Sequence, residues 1–222
     1  MDLIMGDSLR HAVQIGTVAT HPEYTRQGLA KKLLLHVVEQ CAQSDLTFLY
    51  ANDSVMSFYP RFGFELRAEH SYQVELKAQI VRSFPTFQKW IPHVEERELL
   101  SRRFQSRTPI STTLGISDYA SLATWHCLIL YKEQLWISDD AEILMVCRLT
   151  GDTLQIYDIV AERLDEDFFR KLQWPGATRA VIHFVPDRFT GEFVPVLDNS
   201  DAFFIRGKLE SEKGKIPLLA HT

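Results

Sequence analysis

The chain has 222 residues, of which 45% are hydrophobic and 24% charged, with a formal net charge of −5 and a pI near 5.9. That length holds one large domain or two small ones around a sizeable core, and the acidic balance excludes a general nucleic-acid binder, whose footprint is basic. Three cysteines far apart among apolar neighbours, Cys41, Cys127 and Cys147, read as buried free thiols, and no stretch approaches about 18 uninterrupted apolar residues, so a cytoplasmic protein with no membrane partner is expected.

In chain order, the small and β-branched residues from Ala12 to Thr20 predict a buried strand, stopped by His21-Pro22 because proline cannot donate to a ladder. A polar turn follows, ending Arg26-Gln27-Gly28-Leu29-Ala30. Leu29, Leu33, Leu34, Val37, Val38 and Cys41 then recur at helical spacing and predict one apolar helix face. Gly28 therefore stands where a strand hands over to a helix, an arrangement in which backbone N–H groups and the positive helix end meet an anionic ligand.

Leu46 to Ala51 is a compact apolar run, read as a strand buried on both faces. Asn52-Asp53-Ser54 caps a short helical segment through Tyr59, which Pro60 and Gly63 bring to an end. Phe64 to Leu66 and the alternating Tyr72, Val74 and Leu76 predict two further strands. The order is strand, loop, helix, strand, short helix, strand, an α/β pattern that gathers Ala19-Thr20, the Gly28 loop and Asn52 at the carboxyl ends of the strands.

Over residues 11–76 these features resemble the GNAT family of acyl-CoA-dependent N-acetyltransferases. The family's pyrophosphate loop, Gln or Arg, two residues, Gly, one residue, Gly or Ala, is matched by Thr25-Arg26-Gln27-Gly28-Leu29-Ala30, with Thr25 departing from the pattern at the first position. Its second motif, an Asn ahead of a Tyr and a Gly-Phe pair, is matched by Asn52, Tyr59 and Gly63-Phe64. The resemblance implies acetyl-CoA as cosubstrate, bound by Val18, Ala19 and Thr20 along the pantetheine, by Thr25 to Lys31 at the phosphates and by Asn52. It implies Tyr59 as the acid that protonates the departing thiolate. Members of the family carry three strands and two helices ahead of this point, where only Met1 to Arg10 stand here, so a front truncation is expected. An open sheet edge before Ala12 would then be covered by the rear half or by a second copy in a homodimer.

From Lys77 to Ile110 prolines and charges interrupt any period, which predicts a connector with a short helix and gives domains at 1–78 and 111–222 about a linker at 79–110. Ser117-Asp118 reads as a helix cap for a helix through His126. Leu135 to Ile137, Glu142 to Leu149 and Thr153 to Val160 read as strands, the last two as a hairpin about Gly151-Asp152. Asp165 to Leu172 reads as a helix, and Ala180 to Val185 and Phe203 to Ile205 as the closing strands. This order resembles a second GNAT-like half without a cofactor loop, since Ala161-Glu162-Arg163 and the acidic Asp165 to Asp167 follow Val160.

The histidines include no pair at metal-ligand spacing with a partner carboxylate, so no metal is expected. Ala12 to Thr20 contains no Asp or Glu, which leaves the general base unassigned, with His11 and His21 as neighbours. The reading is an N-acetyltransferase that moves an acetyl group directly from acetyl-CoA to an amine. Its rival is a catalytically silent GNAT-fold remnant serving as a CoA-binding or interaction module.

Overall fold

The computed structural model describes residues 1–76, 84–211 and 213–221. Eleven strands form a mixed sheet: β1 (Asp2–Met5), β2 (Ser8–Gln14), β3 (Leu46–Ala51), β4 (Glu65–Glu75), β5 (Phe87–Lys89), β6 (Gly115–Ile116), β7 (Leu135–Ser138), β8 (Leu144–Thr150), β9 (Thr153–Val160), β10 (Arg179–Ile182) and β11 (Val194–Gly207). Their spatial order is β5-β7-β8-β9-β10-β4-β11-β3-β2-β1-β6. The pairs β2/β3 and β9/β10 are parallel and the others antiparallel. Among the described residues the α-helices are α1 (Leu29–Gln40), α2 (Arg97–Ser106), α3 (Ala120–Ile129) and α4 (Phe168–Lys171).

The first residues are not a loose lead-in. Gly6, at φ 61°, starts a two-residue turn that folds β1 back on β2, with Met5 opposite Ser8. Leu3 and Ile4 then pair outward with Ile116 and Gly115 of β6, so the edge expected to lie open before Ala12 is covered from within the chain by its rear half. Ser117 is drawn into the same contact, its N–H and hydroxyl both donating to the Asp2 carbonyl at 3.0 and 3.2 Å. It therefore does not cap α3, which begins after Tyr119 with no side-chain cap.

Several elements differ in extent from the sequence reading. The two strands expected between Phe64 and Leu76 are one, β4, because its middle is held by β11 on one side and its end by β10 on the other. Phe203 to Ile205 is the end of a fourteen-residue strand, β11, which inserts between β3 and β4 and bulges between Asp198 and Phe203. The helix expected from Asp165 shortens to α4, because the Asp165 carboxylate accepts the Asp167 N–H and pairs with Lys171 instead of extending the helix. The strand expected over Ala180 to Val185 ends at Ile182. Pro60, expected to end the short helix before it, instead sits inside a 3-10 turn, Tyr59–Phe62, closed by Gly63 at φ 80°. The domain boundary expected after residue 78 falls among residues 77–83, outside the described residues.

Apolar side chains divide among three cores. Alternation along β3 and β11 sends Phe48, Phe203 and Ile205 toward α2 and α3, and Leu49, Ala51 and Phe204 toward α1. The third core lies under α4, around Phe168, Phe169, Phe184 and Phe189. Helix α1 lends the core around Leu49 and Phe204 less than its periodicity suggests: Leu34 is buried and Val37 and Val38 half-buried, whereas Leu29 and Leu33 are 44% and 57% exposed. A buried ion pair ties the connector to the rear strands. Arg107 Nη1 donates to both oxygens of Asp158 at 2.8 and 2.9 Å, the Tyr119 hydroxyl donates to the same carboxylate at 2.7 Å, and the guanidinium lies 5.0 Å from the Tyr119 ring centroid.

Candidate functional site

The site is built where β2 and β3 part. Ala12, Val13 and Gln14 pair with Leu46, Thr47 and Phe48, and one more hydrogen bond runs from Ile15 N–H to the Phe48 carbonyl at 2.9 Å. Beyond that point β3 continues to Ala51 while the other chain turns away. The strand expected to reach Thr20 thus stops at Gln14. Its physical cause is Thr17, a β-branched residue at φ 54°, a left-handed conformation that leaves the ladder. Among the described residues, no hydrogen bond takes up the backbone N–H or C=O of Val18, Ala19 or Thr20. The Val18 side chain is partly buried against the core that contains Leu34 and Tyr59, Ala19 is exposed and Thr20 is half-buried. The result is a groove with unspent main-chain donors and acceptors along one wall.

At its mouth, a 3-10 turn over Pro22–Tyr24 leads into the loop. The Thr25 hydroxyl is already used, donating to the Pro22 carbonyl at 3.0 Å. Arg26 and Gly28 are both left-handed, at φ 60° and 76°, on either side of Gln27. Such alternation turns successive N–H groups into one concavity, a nest for an anion. The first helical bond of α1 runs from Lys32 N–H to the Gly28 carbonyl at 3.0 Å, so the N–H groups of Gly28, Leu29, Ala30 and Lys31 have no acceptor among the described residues. A Cβ built on Gly28 meets nothing within 4 Å, so the concavity is open to a ligand. Arg26, Gln27 and Lys31 are exposed around it, and Arg26 and Lys31 add positive charge to that of the helix end. This donor set fits a pyrophosphate.

Asn52 closes the end of β3. Its Oδ1 accepts the Ser54 N–H at 3.2 Å and the Ser54 hydroxyl at 2.5 Å, which leaves Nδ2 as the donor available to a carbonyl. Tyr59 is 6% exposed, its ring set against Phe58, Phe64 and Phe204 at centroid distances of 5.3, 6.2 and 5.7 Å. Burial raises its pKa, so the phenol keeps its proton at neutral pH. It belongs to the same core as Leu34 and Val18, one on α1 and one on the groove wall.

Across β3 from α1, a set of polar side chains was not legible from motif or spacing. The Tyr50 hydroxyl donates to Glu69 Oε1 at 3.0 Å, and Lys215 Nζ lies 2.5 Å from Asp198 Oδ2 and 3.9 Å from Glu69 Oε2. Ser71 donates to Asp198 at 2.9 Å and meets His183 Nδ1 at 3.2 Å, whose Nε2 faces Gln155 Oε1 at 2.8 Å. The one signal in the sequence is Glu69 at an inward position of an alternating strand. No group of three or more His, Cys, Asp or Glu side chains placed to hold a metal ion occurs among the described residues. Cys127 and Cys147 are buried, and burial pushes both thiols well above the usual cysteine range, whereas Cys41 is half-buried. Two cavities, of ≈480 and ≈510 Å³, lie elsewhere, near Phe169 and Thr190 and near Arg103 and Ala161. No helix among the described residues is long and apolar enough to cross a membrane.

Residues 1–67 match the model of the acetyltransferase (GNAT) domain family. No curated protein matches the chain significantly. Among solved structures, the chain is similar to a conserved Enterococcus faecalis protein described as a probable N-acyltransferase, at 14% identity and a TM-score of 0.56, over 92% of this chain and 56% of that one. It is similar to Eis1 from Mycobacterium abscessus at 14% identity and a TM-score of 0.54, over 92% and 59% of the two chains. A GCN5-related N-acetyltransferase from Anabaena variabilis shares 14% identity at a TM-score of 0.51, over 93% and 57%. The chain thus spans less than two thirds of the length of these solved relatives. Residues 1–67 thus resemble the GNAT acetyltransferase domain, and the chain as a whole shares its fold with these solved structures.

Proposed function

We propose that the chain binds acetyl-CoA in the groove between β2 and β3 and transfers its acetyl group directly to an amine. The observation that carries this reading is the end of β2/β3 pairing at Gln14 and Phe48, which leaves Val18 to Thr20 unpaired beside the open nest of Arg26 to Gly28. In this reading the N–H groups of Gly28 to Lys31, with Arg26 and Lys31, hold the pyrophosphate. The backbone of Val18 to Thr20 and the Asn52 Nδ2 hold the pantetheine, and Tyr59 gives its proton to the departing thiolate. Bound acetyl-CoA would supply an activated thioester; the chain supplies position, polarisation of its carbonyl and a proton for the thiolate. A cytoplasmic setting and a homodimer belong to the same proposal. So does the division into a CoA-binding part (1–78), a connector (79–110) and a GNAT-like rear part (111–222) without a cofactor loop, although β11 crosses from the rear part into the front sheet. Calorimetry with acetyl-CoA tests the reading: saturable binding that Gly28→Val weakens supports it, and the absence of binding ends it.

One observation favours the silent module. The Tyr59 hydroxyl has no hydrogen-bond partner among the described residues, and its ring is packed as a core aromatic would be. Acetyl-CoA binding without transfer to any amine in a broad panel decides for that reading.

A further inference from the structure

Acyl transfer to an amine needs a proton acceptor, and residues 12–20 contain no carboxylate. The opposite face of β3 holds one. Tyr50 lies two residues past Phe48, the last rung shared with β2, and its side chain points away from α1. Tyr50 is half-buried, and its hydroxyl donates to Glu69, itself 5% exposed. His221 and Phe203 stack on the ring at 4.1 and 5.2 Å, which fixes where the hydroxyl sits.

The groups around Glu69 leave it available for a proton. Its Oε1 accepts the Ile216 N–H at 3.1 Å as well as the Tyr50 hydroxyl. Lys215 is committed to Asp198 at 2.5 Å and reaches Glu69 only at 3.9 Å. Asp201 is a further negative neighbour of Tyr50, and Ser71 and His183 stand on the far side of Asp198. Burial raises the Glu69 pKa, and Lys215, Ile216 and Tyr50 offset that only in part. A partner meant only to satisfy a buried hydroxyl would not need a charge, which costs desolvation.

We propose that Tyr50 touches the incoming amine and passes its proton to Glu69, so that the Tyr50–Glu69 pair is the proton acceptor of the reaction. This rests on the CoA reading above. The ammonium gives one proton to Tyr50 Oη as the Tyr50 proton moves to Glu69. The nitrogen lone pair then forms the N–C bond, and the C–S bond breaks with its electron pair going to sulfur. A second nitrogen proton neutralises the thiolate by way of Tyr59, leaving an amide, CoA thiol and a protonated Glu69 that returns its proton to water.

The test uses the whole chain, acetyl-CoA and a panel of primary alkylamines that includes n-butylamine and lysine, with thiol release followed across pH. Glu69→Gln keeps the side chain's shape, and Tyr50→Phe keeps the stacked ring and removes only the hydroxyl. Both are expected to lower kcat on the order of 100-fold and to remove the acid limb of its pH profile, with calorimetric acetyl-CoA affinity unchanged. A structural role alone would lower stability and leave the profile's shape intact. Wild-type kcat and an unaltered profile in Tyr50→Phe overturn the inference while the CoA reading stands, and this variant answers even where Glu69→Gln does not fold. A wild-type chain that binds acetyl-CoA but acetylates no amine overturns the inference together with the catalytic reading. Absence of acetyl-CoA binding removes the CoA reading itself.

Discussion

Gln14 and Phe48 are the last partners that two parallel strands share, and three residues later Thr17 holds a left-handed φ of 54°. The groove exists because of that pair of facts. Replacing Thr17 with glycine relieves the strained dihedral and is expected to stabilise the chain by about 1 kcal/mol, read as an upward shift of the urea midpoint. The freed segment is expected to bind acetyl-CoA less tightly, since its carbonyl and N–H groups are no longer preorganised.

Gly28→Ala places a Cβ where nothing lies within 4 Å, so its cost is conformational rather than steric. At φ 76° that cost is on the order of 1 kcal/mol, and the nest opens to relieve it. Calorimetry is expected to show acetyl-CoA affinity lowered roughly tenfold, with a small loss of thermal stability.

Tyr59→Phe separates packing from chemistry. The ring contacts with Phe58, Phe64 and Phe204 survive, and the lost hydroxyl has no hydrogen-bond partner among the described residues. The melting temperature is expected to stay within about 2 °C of wild type, while kcat falls on the order of 100-fold. A variant with unchanged turnover would assign Tyr59 to the core alone.

Arg107 and Asp158 are both buried, their side chains 5% and 0% exposed. Arg107→Met leaves the Asp158 carboxylate with the Tyr119 hydroxyl and the Ile159 N–H but no cation. Breaking such a pair from one side costs about 3–5 kcal/mol, which urea denaturation of the variant should register.

His183 gives the chain a pH-dependent stability. Burial lowers its pKa from 6.5 to about 4, with nearby Lys215 acting in the same direction and Asp198 opposing. The folded state therefore holds the ring neutral where the unfolded chain protonates it. Its contribution is complete above the unfolded pKa of 6.5 and is lost as pH falls from there to about 4. Urea midpoints are expected to decline across that window, and His183→Gln, which retains a donor and an acceptor toward Ser71 and Gln155, should flatten the decline.

Local chemistry made much of the front half legible. The Gly28 turn, the Leu46 to Ala51 strand, the Asn52 cap and the Gly63 stop all follow from φ preference, burial pattern or a side-chain oxygen, and each stands where the residues put it. What escaped depended on partners distant in sequence. A strand's length is set by its neighbours, so β4 could be read as two pieces and β11 as three residues until each was seen beside the other. The Ser117 hydroxyl looked like a cap and found the Asp2 carbonyl, 115 residues away, instead. For the same reason Glu69 carried no motif: its partners Tyr50, Lys215 and Ile216 come together only through the fold.

The place of β11 between β3 and β4 has a kinetic consequence. Residues 46–75 supply both walls of a gap that residues 194–207 fill, so during synthesis that part of the sheet waits for more than a hundred residues before it can close. Such late, long-range pairing slows folding and leaves the facing edges of β3 and β4 exposed on the ribosome. A fragment ending before Val194 should therefore aggregate, and a separately made peptide spanning Val194–Gly207 should rescue it by entering as the missing strand.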